Sequence, residues 1–182
     1  MKKLLVATIA ITIGIVAQAA TYSWGYEGYF NNGDGDYGAL EDTTAYLFNA
    51  STMSQSDMVA AFYAGTLNLS GSAISSSVAT MDGVVVSDPF DYNGATDDWN
   101  AYFAVIQNDK LFISESTQAQ YMEVGTSGIY FGDQDAVSNA TFADNSAYAG
   151  AGWYAAGAVP EPTSGLLLLL GMAGLALRRK QA

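Results

Sequence analysis

The chain has 182 residues, half of them hydrophobic, with 6 basic and 18 acidic side chains, no Cys and no His. Without Cys there are no disulfide staples and no thiolate chemistry; without His the usual general base and the commonest metal ligand are gone. All 18 acids lie between Glu27 and Glu161, where Lys110 is the only base, a formal −17 that repels phosphate backbones and anionic headgroups and so excludes direct nucleic-acid binding and peripheral membrane binding by this region.

The chain opens on Met1-Lys2-Lys3, an apolar run from Leu4 to Ala17, and the small residues of Ala17-Gln18-Ala19. Cationic start, apolar middle and Ala-x-Ala end are the three parts of a secretory signal peptide over residues 1–19, with cleavage after Ala19. The alternative, an uncleaved N-terminal anchor, has no need of so well placed an Ala-x-Ala. The protein is therefore expected outside the cytoplasm.

Residues 20–158 are expected to form one domain, long enough to bury a core. Short apolar runs punctuated by Gly, Asn and Asp favour strands. The first are placed at Thr21 to Tyr29 and Ala45 to Asn49. SQSDMVAAFYAG reads differently: Ser54 or Ser56 can cap, Met58, Val59, Phe62 and Tyr63 recur at helical spacing, and Gly65 can stop a core-facing helix. A strand at Thr66 to Leu69 follows, then a hairpin SVATM-DG-VVVS turning at Asp82-Gly83.

The clearest hairpin is Trp99 to Ser114, with Asn108-Asp109 as its two-residue turn. Alternation puts Trp99, Ala101, Phe103, Val105 and Phe112 on one face, and Tyr102, Ala104, Ile106, Leu111 and Ile113 on the other. Both faces are apolar, so the hairpin belongs in the interior, covered on both sides. Further strands are expected at Gln120 to Val124, Gly128 to Phe131 and near Trp153. The fold class is mainly β: an antiparallel, sandwich-like domain with one short helix.

Two loops carry candidate chemistry. In Phe30 to Asp42, oxygen ligands at Asn32, Asp34 and Asp36 could wrap a Ca²⁺ ion. An EF-hand is excluded, because Tyr37 stands where Gly is needed and Thr43 where a bidentate Glu belongs. The competing reading is a solvated acidic turn, and no other cofactor is expected. In the second loop, Asp91, Asp97 and Asp98 accompany Tyr92 and Trp99, a set suited to a neutral sugar, with rings stacking on C–H groups and acids accepting hydroxyl hydrogens. The competing reading makes Trp99 a core anchor. Hydride, phosphoryl and acyl transfer all lose their usual residues, which leaves glycoside hydrolysis between two carboxylates as the one common chemistry open. A non-enzymatic domain is the expectation. Exposed rings in a row would favour sugar binding, and three buried tryptophans would favour a scaffold.

The tail reads Val159-Pro160-Glu161-Pro162, then an apolar run from Gly165 to Leu177, then Arg178-Arg179-Lys180. The run is 13 residues, about 20 Å of helix, against a hydrocarbon core of about 30 Å. A plain anchor would be longer and has no use for Pro-Glu-Pro. In order, spacing and position, the three elements of residues 159–182 resemble the PEP-CTERM sorting signal. The resemblance implies processing near the Pro-Glu-Pro block by an exosortase, a membrane protease, in a Gram-negative bacterium that makes exopolysaccharide. It also implies transient inner-membrane insertion of helix 165–177, held by the basic residues 178–180, and delivery to the envelope or extracellular matrix, where exopolysaccharide or other envelope components are the partners. It implies nothing about the activity of the domain.

Overall fold

The computed structural model describes residues 19–27, 43–80, 84–134, 137, 140–143 and 147–155. Residues 1–18 with Ala17, the Asn32, Asp34 and Asp36 loop, the Asp82-Gly83 turn and the whole of the tail from Val159 lie outside them.

Two sheets pack face to face. The smaller is built on β1 (Ala20–Glu27). On one side β1 pairs in parallel with β9 (Thr126–Asp133). On the other, β4 (Val85–Val86) and β5 (Phe90–Tyr92) run antiparallel to its two halves. The larger sheet has the order β10 (Thr141–Ala143), β11 (Gly152–Ala155), β7 (Lys110–Ile113), β6 (Trp99–Gln107), β2 (Thr44–Asn49), β3 (Ser75–Val78). A short strand β8 (Thr117–Ala119) takes over from β7 beside the first residues of β6. Most pairings are antiparallel; β1–β9 and β10–β11 are parallel.

The β6–β7 hairpin forms in the expected register, with Val105 opposite Phe112 and Ile106 opposite Leu111. Asn108 and Asp109 both adopt positive φ, 49° and 60°, as a type I′ turn requires. The Trp99, Ala101, Phe103, Val105 and Phe112 face packs into the core between the sheets. The Tyr102, Ala104, Leu111 and Ile113 face joins a second cluster with Met58, Val59 and Leu69. The helix α1 (Gln55–Tyr63) covers that face. The Ser54 hydroxyl caps it by accepting from the Asp57 N–H at 3.1 Å and donating to the Asp57 carboxylate at 2.6 Å. Gly65 ends it at φ +67°.

Phe103 is the hub of the inter-sheet core. It stacks on Tyr26 at 4.5 Å, meets Phe131 edge-on at 5.0 Å and touches Phe112 and Trp24. Polar stitches also tie the sheets together: Trp24 Nε1 donates to Ser75 Oγ at 3.0 Å, Ser77 Oγ to the Val86 carbonyl at 2.9 Å, and Asn49 Nδ2 to Tyr92 Oη at 3.1 Å.

The strands β1 and β6 each face an interrupted neighbour, and a buried serine mends each break. Between β4 and β5, Ser87 Oγ accepts the Trp24 N–H at 2.8 Å while its own N–H reaches the Trp24 carbonyl at 2.8 Å. Between β7 and β8, Ser114 Oγ accepts the Phe103 N–H at 2.9 Å while its N–H reaches the Phe103 carbonyl at 3.0 Å. Each hydroxyl replaces the strand carbonyl that the break removes, so no peptide N–H is stranded in the core.

Three expectations are corrected. Thr66 to Leu69 is no strand: Asn68 Oδ1 accepts the Gly71 N–H and caps a single helical turn, α2 (Leu69–Ser72). Gln120 to Val124 is a loop, because the pairing beside β6 ends at Ala119. The runs around Asp82-Gly83 do not pair as one hairpin ladder: β3 joins the large sheet and β4 the small one, with Thr80 N–H to the Val84 carbonyl at 2.9 Å where the chain crosses between them.

Candidate functional site

The loop expected to hold a sugar brings Tyr92 and Trp99 together, but inward. Trp99 is 8% exposed and packs edge-on to Tyr22 at 5.5 Å and against Tyr92 at 5.2 Å. Its indole offers no open face to stack on. The first residues of β6 place it there, since β6 alternates and Trp99 shares the inner face with Ala101 and Phe103. The acids stay outside and are engaged locally. Asp91 accepts from the Thr21 hydroxyl at 2.8 Å, and Asp98 from the Tyr121 N–H at 2.8 Å, while Asp97 lies beside the Thr96 hydroxyl on the exposed turn.

Behind them the Tyr22 hydroxyl and Trp99 Nε1 are buried without a partner of good geometry. They are near enough for the indole N–H to lower the phenol's pKa somewhat, but burial outweighs that contribution and the net shift is upward. Tyr92, Tyr121 and Asp98 add to the rise by charge. This corner is an aromatic plug with polar atoms turned inward, and its chemistry is that of packing.

A different surface is concave. Across the outer face of the small sheet runs a groove of about 550 Å³, with Ser23, Gly25 and Gly128 along its floor and Val84, Val86 and Tyr130 around it. Tyr22, Trp24 and Tyr26 point into the core, so the intervening Ser23 and Gly25 must point out. Gly25 lies opposite both Val86 and Tyr130, which are 73% and 59% exposed. Two large side chains thus flank a floor with no side chain at all. Gly25 is also required by close approach: a Cβ there would meet the Val85 carbonyl oxygen at 2.5 Å. The expectations from sequence missed this groove, although a glycine inside each of two alternating strands is the available signal.

Among the described residues, no three Asp or Glu side chains gather as a metal site, and no helix is long and apolar enough to cross a membrane. The candidate Ca²⁺ ligands Asn32, Asp34 and Asp36 and the sorting residues lie outside that set; of the cleavage residues only Ala19 lies within it, directly before β1.

Residues 158–180 match the PEP-CTERM protein-sorting motif. The match spans Pro160-Glu161-Pro162, the apolar run and the basic end, and it supports a chain that is exported, sorted to the cell envelope and processed by an exosortase. Comparison with curated proteins and with solved structures gives no match.

Proposed function

We propose that this chain is a structural or adhesive protein of the bacterial cell envelope or extracellular matrix, delivered through its tail and without catalytic activity. The observation that carries this reading is the placement of the tryptophans: Trp24, Trp99 and Trp153 are 2%, 8% and 0% exposed. Large rings spent on the core stabilise a scaffold and leave few anchors for a ligand. The tail's short apolar run, 165–177, serves as a temporary hook in the inner membrane of a Gram-negative cell, with Arg178, Arg179 and Lys180 held on the cytoplasmic side.

Mass spectrometry of the native C-terminus after cell fractionation tests the delivery. A chain ending near Pro160-Glu161-Pro162 and recovered outside the inner membrane is expected. An intact Arg178-Arg179-Lys180 end confined to the inner membrane would overturn it. Turnover of any glycan by the purified protein would overturn the non-catalytic role.

A second reading, binding of a neutral carbohydrate, is favoured by one observation, the exposed Tyr130 beside the groove over Gly25 and Gly128. A flat glycan array with and without Ca²⁺ would remove it.

A further inference from the structure

The register of the sheets fixes which end of the domain meets the tail. The strand β11 runs from Gly152 to Ala155, and Ala155 lies opposite Lys110. The same end of the large sheet carries the Asn108-Asp109 turn, Thr44, which lies opposite Val78, and Ala45, which lies opposite Val105. In the small sheet it carries Val86, because Ser77 Oγ bonds the Val86 carbonyl and Ser77 lies opposite Ala45. The Tyr63 hydroxyl, at the end of α1, donates to the Ala155 carbonyl at 3.0 Å and pins the exit strand. Trp99, Tyr92 and Asp98 mark the opposite end.

That exit end has a distinct surface. Of the six large apolar side chains exposed among the described residues, two lie there on the outer face of the large sheet, Val78 and Ile106, and two towards that end on the outer face of the small sheet, Val86 and Tyr130. Lys110, the only Lys or Arg between Lys3 and Arg178, is there too. Asp109, Asp133 and Glu27, which lies opposite Asp133, share the end, and residues 28–42, outside the described set and carrying four more acids, begin and end there, so charge does not draw it to an anionic surface.

Chain length supplies the rest. Only residues 156–164 separate Ala155 from the apolar run at Gly165. Fully extended, that tether reaches at most about 35 Å. The headgroup layer takes roughly 6 Å of it. The strand β6 is about 27 Å from end to end at ~3.4 Å per residue. Turning the Trp99 end to the bilayer would stretch the tether almost to its limit, whereas the exit end requires it to cross only the headgroup layer.

We propose that the exit end, with Val78, Ile106 and Lys110, is the face that rests on the lipid headgroups of the membrane while the tail is inserted. This rests on the insertion reading above. The domain does not need to bind membrane by itself; the tether presents the surface, and cutting the tether releases it.

The chain has no Cys, so single labels are clean. The chain as cleaved after Ala19, residues 20–182 with the tail intact, carrying Ile106→Cys or Asn100→Cys, two exposed sites on β6 about 20 Å apart, is fluorophore-labelled and mixed with zwitterionic vesicles bearing a nitroxide on the headgroup. Val78→Cys and Gln118→Cys form a second exposed pair on other strands. Flotation of the vesicles reports insertion separately. The expected result is loss of fluorescence at positions 106 and 78 and none at 100 and 118. Equal or reversed quenching, or none at any site in chains that float, overturns the orientation while leaving insertion intact. Chains that do not float overturn the insertion itself, and the orientation with it.

Discussion

The Ser114 hydroxyl stands in for a missing strand, and removing it tests whether that substitution is energetically real. Ser114 is fully buried, and its Oγ is the acceptor for the Phe103 N–H at 2.9 Å in the middle of β6. Ser114→Ala leaves that N–H without an acceptor while removing only one atom of volume. Desolvating a buried polar group without a partner costs about 1–3 kcal/mol. The hydroxyl also donates to the Glu115 carbonyl at 2.8 Å, a bond lost with it. For a domain of this size, 1 kcal/mol shifts the melting temperature by about 4 °C, so a fall on the order of 5–10 °C is expected. Urea unfolding followed through the three buried tryptophans reads the change directly, and an unchanged denaturant slope would place it in the folded state. The exposed Ser76→Ala is the control, expected within about 0.5 kcal/mol of the parent. If Ser114→Ala behaves like Ser76→Ala, the hydroxyl is not bridging the break, and the same argument for Ser87 and Trp24 fails with it.

Three further outcomes are expected. Asp109→Gly should stabilise the domain by a few tenths to about 1 kcal/mol, because φ +60° at Asp109 is costless for glycine and Asn-Gly suits a type I′ turn; chemical denaturation checks it. Alanine at Gly25 and at Gly128 should act oppositely in the same assay. The first drives a Cβ to 2.5 Å from the Val85 carbonyl oxygen and destabilises, whereas nothing lies within 4 Å at the second, where gaining a side chain in a strand is worth about 0.5–1 kcal/mol. Burial raises the pKa values of Tyr22, Tyr26, Tyr102 and Tyr148 above the ordinary phenol value of 10. The unfolded chain then holds fewer protons than the native one above pH 10, so stability is complete below that pH and falls as pH rises through the folded values. Absorbance titration of tyrosinate should show a late fraction that appears together with unfolding.

Where the sequence was legible, one local pattern was decisive. The β6–β7 hairpin has alternation strong enough to assign every side chain to a face, and α1 announces itself by a capping serine, helical spacing and a terminal glycine. The errors lie where a segment's neighbour decides its state. Ser75–Val78 and Val85–Val86 look like two halves of a hairpin, yet each finds a different sheet, the first pairing with β2 and the second with β1. The parallel pairing of β1 with β9 joins residues about a hundred positions apart and leaves no mark in either segment. Trp99 shows the same limit in the candidate site: a ring among acids fits a sugar and a core equally well until strand parity is known, and parity with Phe103 turns it inward.

The same apolar amino acids do two jobs in this chain, and pattern alone separates them. In residues 20–158 they alternate with Ser, Thr, Gly and acids, so each strand has a side that must be buried and the chain folds on itself. In Leu4–Ala17 and Gly165–Leu177 they run without alternation and with almost no polar atoms, so neither segment has a polar face to leave in water. On the proposed reading, the tail is left to a membrane and a protease and does not pack on the domain. Placing charges within the apolar run, with Leu168→Lys and Ala173→Lys together, should therefore abolish processing near Pro160-Glu161-Pro162 while leaving the urea midpoint of the domain unchanged. A shifted midpoint would mean that the tail packs on the domain after all.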